Sequence, residues 1–370
     1  MRSNFKRTVL FAAALAAVFL TGSARAQVTP AKGYDPVDDT PTFKVGGVIF
    51  ADYTYQDKPT STDSAGNTVH PNSFNVSRAY VNVLANISHM LSARITTDIR
   101  ADTNSNDPAL FGSNVIRLKY AYGQVNFDEW LGKGTWARIG LQTTPWIDYE
   151  EGIYRYRFQG PIFVDREGFL TSSDYAIAGH YELPSNYGDI HLGVYNGEGY
   201  GSQADQSAAN DQKSFQARFS LRPAPGVDVL KGLRLAVFYD GDNYVKDAKK
   251  QRFLANATFE YKYVNAGFDW LDAKDQKTPS SAEVDAQGWS AWATPRTTFG
   301  LEGLLRYEEL KPNKDVSAKK KRTIVGVAYW FPVMKGVAAT LLADYEQVKY
   351  DSALGKPKEQ RWALHTQFNF

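Results

Sequence analysis

The sequence predicts an all-β fold, a 16-stranded antiparallel transmembrane β-barrel, on three observations. From Thr42 onward the chain shows segments with apolar residues at every second position, the period of a strand whose two faces meet different solvents. The links between these segments are alternately long and short. The last segment alternates up to the terminal Phe370. A closed ladder of strands satisfies its own backbone hydrogen bonds inside lipid, so this pattern is sufficient to span a membrane.

Cutting the chain at its turn signals gives the strands in order, with about two to four residues of slack at each end. They are predicted at 42–55, 74–87, 91–101, 114–127, 135–143, 175–183, 189–195, 214–222, 232–239, 252–262, 264–271, 286–293, 297–309, 322–331, 337–350 and 360–370. An even number of strands leaves both ends of the chain on the same side of the membrane, which is expected to be the periplasm.

The links after odd-numbered strands are expected to be long and hydrophilic, as at 56–73, 102–113 and 272–285. Those after even-numbered strands are mostly brief, as at 88–90, 184–188, 294–296 and 332–336. Long links of a membrane barrel face the outside and short turns face the periplasm. The sequence therefore predicts long outer loops and short periplasmic turns.

The first 26 residues have the order of a secretory signal peptide: basic residues, an apolar run at 9–20, and small residues before Gln27. The run is too short to serve as a membrane anchor. Residues 27–41 form a short polar N-terminal segment, predicted to be periplasmic, and 42–370 form a single barrel domain.

The net charge bears on the partners of the protein, and the cysteine count bears on its stability. Without residues 1–26, which hold four of the 42 basic residues and no acid, 38 basic residues face 40 acidic ones. The formal net charge of about −2 gives no reason to expect nucleic acid as a partner. The chain has no cysteine, so disulfides do not contribute to stability.

Alternation also assigns the strand faces. In the last strand Trp362, Phe368 and Phe370 share the face expected to contact lipid, while Arg361 and His365 share the other. The same parity predicts that many aromatic side chains contact lipid, often near strand ends, where rings can occupy the headgroup level. They are Tyr120, Tyr122, Phe268, Trp270, Tyr329, Phe331, Tyr345, Trp362, Phe368 and Phe370.

The longest link, 145–174 after the fifth strand, mixes many large apolar residues with charged ones. A loop of this composition packs against something. We expect it to fold inward against the barrel wall and to narrow a lumen that side chains alone cannot fill. An outer loop packed on itself or on a neighbouring subunit is the alternative. Folding inward would bring eight charged residues into the lumen: Asp148, Glu150, Glu151, Arg155, Arg157, Asp165, Arg166 and Glu167.

Parity places six basic residues on the lumenal face of strands two to five, and we call them the basic wall. They are Arg78, Arg94, Arg100, Arg117, Lys119 and Arg138. A turn centred near His89 would set Arg78 beside Arg100. Like charges so close together repel unless water or ions screen them, so they are expected in a wet lumen. The basic wall opposite the loop acids would create a transverse field at a pore constriction. Alternatively, the arginines pair with Asp98 and other lumenal acids to fill space.

Several stretches resemble those of bacterial outer-membrane porins, and within them the phosphate-selective porin group. They are FNVSRAYVNVLANIS with SARITTDIR, RLKYAYGQVNF, RIGLQTTPW and GVYNGEGYG. The resemblance covers roughly residues 74–201. It implies a homotrimeric sixteen-stranded channel in outer-membrane lipid, with the loop after the fifth strand folded inward.

The function expected from these features is passive diffusion of small hydrophilic solutes and ions across the cell outer membrane, without an enzymatic activity or a cofactor. An anion- or phosphate-selective channel is the alternative of the same class. An adhesion or binding barrel, or a hydrolase, is the alternative of another class. The five histidines give little support to a hydrolase, because they are scattered at 70, 89, 180, 191 and 365 with no nucleophile motif.

Overall fold

The computed structural model describes residues 40–101, 112–200, 211–332 and 337–370. The predicted signal peptide and residues 27–39 of the N-terminal segment lie outside the described residues. So do parts of the predicted links after the third, seventh and fourteenth strands.

The described residues contain the sixteen expected barrel strands. They are β1 (Thr42–Lys58), β2 (Asn72–Asn86), β3 (Leu91–Ala101), β4 (Asn114–Asn126), β5 (Trp136–Thr143), β6 (Ser173–Glu182), β7 (Gly188–Tyr195), β8 (Ser214–Leu221), β9 (Leu233–Val245), β10 (Ala248–Tyr261), β11 (Val264–Asp275), β12 (Val284–Pro295), β13 (Leu301–Lys311), β14 (Lys320–Trp330), β15 (Ala338–Tyr350) and β16 (Glu359–Asn369). The prediction of a sixteen-stranded barrel is confirmed.

Each strand pairs antiparallel with its sequence neighbours, and β1 closes the barrel by pairing with β16. Beyond the end of β16, the Phe370 backbone nitrogen donates to the Gly47 oxygen at 3.0 Å and the Gly47 nitrogen donates to the Phe370 oxygen at 2.7 Å. A Cβ atom on Gly47 would lie 2.6 Å from the Phe370 ring, so the glycine lets the ring pack directly on the strand backbone. The terminal residue thus contributes to closing the seam.

The alternation of links holds along most of the barrel but not around β9. The link before β9, 222–232, is as long as an outer loop although a brief turn was expected there. The link after β9 was expected to be long but consists of Lys246 and Asp247, in a tight hairpin that pairs Val245 with Ala248. The polar residues on either side, such as Asp242 and Arg252, are strand residues buried on the lumenal side. Residues 240–251 were predicted to be a loop because they are polar. Inside a wet barrel, however, polar residues at every second position are compatible with a strand.

The predicted lipid-facing aromatic set is wrong at Tyr120 and Tyr122. The register between β3 and β4 shifts at Lys119, so that Thr97 pairs with Leu118 and Thr96 pairs with Tyr120. This β-bulge reverses the faces of the residues that follow it. Tyr120 is therefore buried inside the barrel. The Arg138 guanidinium carbon lies 4.6 Å from the Tyr122 ring centre.

Within the described parts of the links lie three short α-helices: α1 (Asp128–Leu131) after β4, and α2 (Ile147–Tyr154) and α3 (Phe163–Arg166) in the link after β5. Single 3-10 turns lie at Pro184–Asn186 and Ser352–Leu354. None of the helices in the described ranges is both long and apolar enough to cross a membrane. We call residues 144–172, between β5 and β6, the inward loop.

Candidate functional site

The inward loop lies inside the barrel because its apolar side chains find an apolar lumenal surface there. Trp146, Tyr154, Tyr156 and Phe163 are almost completely buried. They belong to one cluster with lumenal residues of β9, β10, β11, β13, β14 and β15, namely Phe238, Leu254, Leu271, Leu304, Ile324 and Leu342. Burying each such side chain contributes about 1.5–3 kcal/mol, so the cluster fixes the loop against this side of the barrel.

Polar contacts fix the loop backbone and its first arginine on the same side. The Asn265 side chain on β11 donates to the Ile153 carbonyl oxygen at 2.9 Å. Arg155 lies 3.1 Å from Glu302 on β13, and the Tyr156 hydroxyl donates to Glu302 at 3.1 Å.

The end of the loop makes a second set of ion pairs with the same side. Arg166 lies 3.3 Å from Glu346 on β15. Glu167 lies 2.7 Å from Lys320 and 3.4 Å from Arg322, both on β14. Arg155, Arg166 and Glu167 therefore lie against β13–β15 and form their ion pairs there.

Glu150 is also held away from the open lumen. Its carboxylate accepts a 2.8 Å hydrogen bond from Nε1 of Trp146, the residue that precedes α2, and the Glu150 side chain is buried. The (i, i+4) spacing on the helix brings the two groups together. Glu150 thus supports the packing of the loop.

The remaining loop charges are Asp148, Glu151, Arg157 and Asp165. Arg157 lies 2.7 Å from Glu151 and 3.7 Å from Asp165. Burial raises the pKa of the Glu151 carboxyl, while the positive charges of Arg157 and, across the lumen, Lys119 oppose this shift. Glu151 is therefore electrostatically coupled to the basic wall.

The first part of the basic wall is compensated. Asp98, which is fully buried, accepts hydrogen bonds from Arg78 at 2.8 Å and from Arg117 at 2.7 Å. The Tyr200 hydroxyl, from the link after β7, also lies 3.2 Å from Asp98. The register agrees with the prediction, because Ala79 pairs with Ile99 and thus places Arg78 and Arg100 at the next position.

The second part of the basic wall contacts neutral groups. Arg94 donates to Thr96 at 2.9 Å and to Asn82 at 3.0 Å, and Lys119 lies 3.4 Å from the Tyr80 hydroxyl.

Arg138 donates to Gln124 at 2.6 Å and lies 3.6 Å from the Trp136 ring centre. Among the residues that the structure describes, no carboxylate oxygen lies within 4.0 Å of the charged nitrogens of Arg94, Lys119 or Arg138. These three cations keep a formal positive charge on the wall.

Open space remains beside the loop. A cavity of about 400 Å³ is lined by Arg138 of the wall, by Asp148 and Gly152 of the loop, and by Asp189 and Arg218 on β7 and β8. A second, of about 260 Å³, is lined by Arg78 and by Arg157. The loop therefore does not fill the lumen, because the first cavity lies between it and β5–β10 and the second between it and β1, β2 and β16.

Sequence reasoning missed the partners that hold the loop. Alternation along β13 and β15 puts Glu302 and Glu346 on the lumenal face, but nothing in the sequence links them to Arg155 and Arg166. One pattern in the sequence could have indicated the packing of the loop. Lumenal positions on strands from β9 to β15 include apolar residues, and apolar residues inside a wet barrel require a packing partner. The contact of Tyr200 with Asp98 could not be predicted, because Tyr200 lies in a link, where alternation assigns no face.

Comparisons with known proteins show what the fold is similar to. No family model matches the chain, and no curated protein matches it. Among solved structures, an OmpT loop L8 deletion mutant, an outer membrane protein of Vibrio cholerae, aligns with a TM-score of 0.63 and 12% identity, covering 90% of this chain and 100% of that one. The anion-selective porin from Comamonas acidovorans aligns with a TM-score of 0.63 and 11% identity, over 90% and 100% of the two chains.

Salmonella typhi OmpF, in complex with daunomycin, aligns with a TM-score of 0.58 and 13% identity, over 89% of this chain and 97% of that one. A trimer form of Vibrio cholerae OmpT aligns with a TM-score of 0.58 and 11% identity, over 90% and 100%. The chain therefore has the fold of outer-membrane porins. Its resemblance to the phosphate-selective group stays a prediction.

Proposed function

We propose that this protein is a channel for passive diffusion of small hydrophilic solutes and ions across the bacterial outer membrane. The observation that carries the proposal is a lumen that an inward loop narrows while leaving charged cavities beside it. A barrel built only to anchor surface loops would have no need for a polar lumen of this size.

The constriction is proposed to lie between the loop and β2–β5. Arg94, Lys119 and Arg138 supply positive charge on one side, and Asp148 and Glu151 supply negative charge on the other. Such an arrangement sets up a field across the pore, which orients dipolar solutes and selects ions by sign.

An anion preference is a second, finer proposal. It is supported by Arg94, Lys119 and Arg138, which are wall cations without a carboxylate within 4.0 Å among the described residues. On the loop side, Arg157 lies within 4.0 Å of both Glu151 and Asp165, which partly cancels the acidic charge. The wall should therefore dominate the sign of selectivity. Phosphate preference remains a prediction within this proposal.

The assembly is proposed to be a homotrimer in outer-membrane lipid. Outward apolar residues such as Ile139, Ile177 and Trp362 are exposed in the single chain and fit contact with lipid or with another subunit. The trimer form of the Vibrio cholerae protein with a similar fold supports this proposal.

The test is current through the purified full-length protein in a planar bilayer under a KCl gradient. Discrete open steps are expected, with a reversal potential of the sign for anion preference. Absence of steps from folded protein would contradict the channel and favour an adhesion barrel or a hydrolase. Open steps with cation preference would keep the channel and reject the anion proposal.

A further inference from the structure

A cluster of arginines surrounds a single carboxylate on β14–β16, beside the strand pair that closes the barrel. Glu346 on β15 lies 2.6 Å from Arg361 on β16 and 3.3 Å from Arg166 of the loop, and it also pairs with Arg322 on β14. One carboxylate cannot neutralise three guanidinium groups. Arg322 also contacts Glu308 and Glu167, whereas Arg361 has no second carboxylate within 4.0 Å among the described residues.

These arginines line a cavity of about 360 Å³ between the loop tip, which we define as Gln159, Gly160 and Pro161, and the outer ends of β1 and β16. Its charged lining residues are four bases and two acids, which leaves a formal charge of +2. They are Lys58, Arg166, Arg322, Arg361, Glu346 and Glu359. Three carboxamides, of Gln56, Gln159 and Gln360, add polar groups to the wall.

Access distinguishes Arg361 from the other members of the cluster. Its side chain is 35% exposed, whereas those of Arg166 and Arg322 are 10% exposed. Arg361 also lines the second cavity, of about 260 Å³, together with Arg78 and Arg157. It is therefore the cation that the outer cavity shares with the space beside the basic wall.

We infer that the cavity at the loop tip is a binding site for small oxyanions, carboxylate or phosphate, and that Arg361 connects it to the space beside Arg78. A planar guanidinium with accessible N–H groups binds either oxyanion by charge-assisted hydrogen bonds. The inference deepens the proposed channel function and rests on it for the role of the site in transport. It adds a site on β1 and β16 to the constriction on β2–β5.

One substitution in this cavity removes a cation without breaking the ion pairs between the loop and Glu346. Arg361→Gln removes the accessible cation but leaves Arg166 and Arg322 on Glu346, so the loop keeps its anchor. Lys58→Gln tests the exposed rim of the same cavity. Lys349→Gln is the matched control, because it removes one positive charge from the outward face of the neighbouring strand, at the position that pairs with Lys321.

Two measurements on the full-length protein test the site. Calorimetry in detergent measures the binding of inorganic phosphate and, separately, of acetate. Bilayer recording measures the concentration of each anion that halves the KCl current. For Arg361→Gln we expect both the dissociation constant and the half-blocking concentration to rise about tenfold, the loss expected for a hydrogen bond between charged groups. Lys58→Gln should raise them less, and Lys349→Gln should leave them unchanged.

The outcomes separate this inference from the proposed function. Equal binding by wild type and Arg361→Gln, or an equal loss in Lys349→Gln, would overturn the site even if the channel conducts. Binding that depends on Arg361 in a protein that passes no current would support the site and reject the channel. Among supporting results, binding of phosphate alone assigns the site to phosphate, and binding of both anions assigns it to oxyanions in general.

Discussion

Arg78 on β2 donates a 2.8 Å hydrogen bond to Asp98 on β3, inside the barrel. Arg117 on β4 donates to the same carboxylate oxygen from the other side. The basic wall is therefore divided into a compensated part around Asp98 and an uncompensated part at Arg94, Lys119 and Arg138. This division determines which substitutions should change ion selectivity.

Replacing Arg78 and Arg100 together by glutamine should shift the reversal potential toward cations. The change removes two lumenal positive charges and leaves Asp98 with Arg117 as its remaining arginine partner among the described residues. The measurement is the reversal potential under a KCl gradient. Lys321→Gln with Lys349→Gln is the control, since it removes two positive charges from an outward-facing cross-strand pair.

Asp98→Asn should shift the reversal potential in the opposite direction, toward anions, because it frees the charges of Arg78 and Arg117. Opposite shifts in the two variants would identify lumenal charge as the cause. Shifts of the same sign would indicate a change in structure and contradict the assignment.

The sequence predicted the barrel well because strand alternation and link length are local properties. The register of Arg78 and Arg100 followed from the turn near His89 in the same way. The errors at Tyr120 and Tyr122 came from a single bulge residue, Lys119, which alternation cannot reveal. The pairing of Arg155 with Glu302 could not be predicted, because it depends on the path of the loop across the lumen, and that path is set by packing between residues far apart in sequence.

Breaking the first anchor should loosen the loop. Glu302→Gln removes the charge that Arg155 contacts, and loss of one partner of a largely buried pair costs up to about 3 kcal/mol. We expect a lower unfolding temperature and more frequent brief closures in single-channel records. Lys231→Gln, at an exposed ion pair with Asp228, should change neither, since exposed pairs contribute about 0–1 kcal/mol.

The apolar packing of the loop can be tested at Gly288 on β12. A Cβ atom there would lie 2.6 Å from the Phe163 ring and 2.8 Å from the Glu309 carbonyl oxygen. Gly288→Ala should therefore displace Phe163 and destabilise the protein by about 1–3 kcal/mol. The measurement is thermal unfolding in detergent. Gly123→Ala on β4 is the control, because a Cβ atom there meets nothing within 4 Å; equal effects of both variants would contradict the packing account.

Titration of the Glu151 carboxyl should make the ion selectivity depend on pH. Burial raises the pKa of its carboxyl, so it takes up a proton at a higher pH than an exposed glutamate. The stability from the neutral buried carboxyl is present below the unfolded-state pKa and is lost as the pH rises through the folded-state pKa. As the pH falls through that value, a negative charge opposite Lys119 disappears, and the reversal potential should move toward anions. Glu151→Gln should remove this part of the titration; an unchanged titration in the variant would reject the assignment to Glu151.

Deletion of residues 150–159 tests whether the inward loop narrows a conducting pore. This segment carries Arg155, Arg157 and part of the apolar cluster, while the closed strand ladder lies outside it. The measurement compares single-channel conductance of the deletion variant and the full-length protein in the same KCl solution. We expect open steps from the full-length protein and from the deletion variant. The conductance of the variant should be about twofold or more larger, because a sixteen-stranded barrel without its loop leaves a wide aqueous channel. Equal conductance from two folded proteins, or no steps from either, would contradict a conducting pore narrowed by the loop.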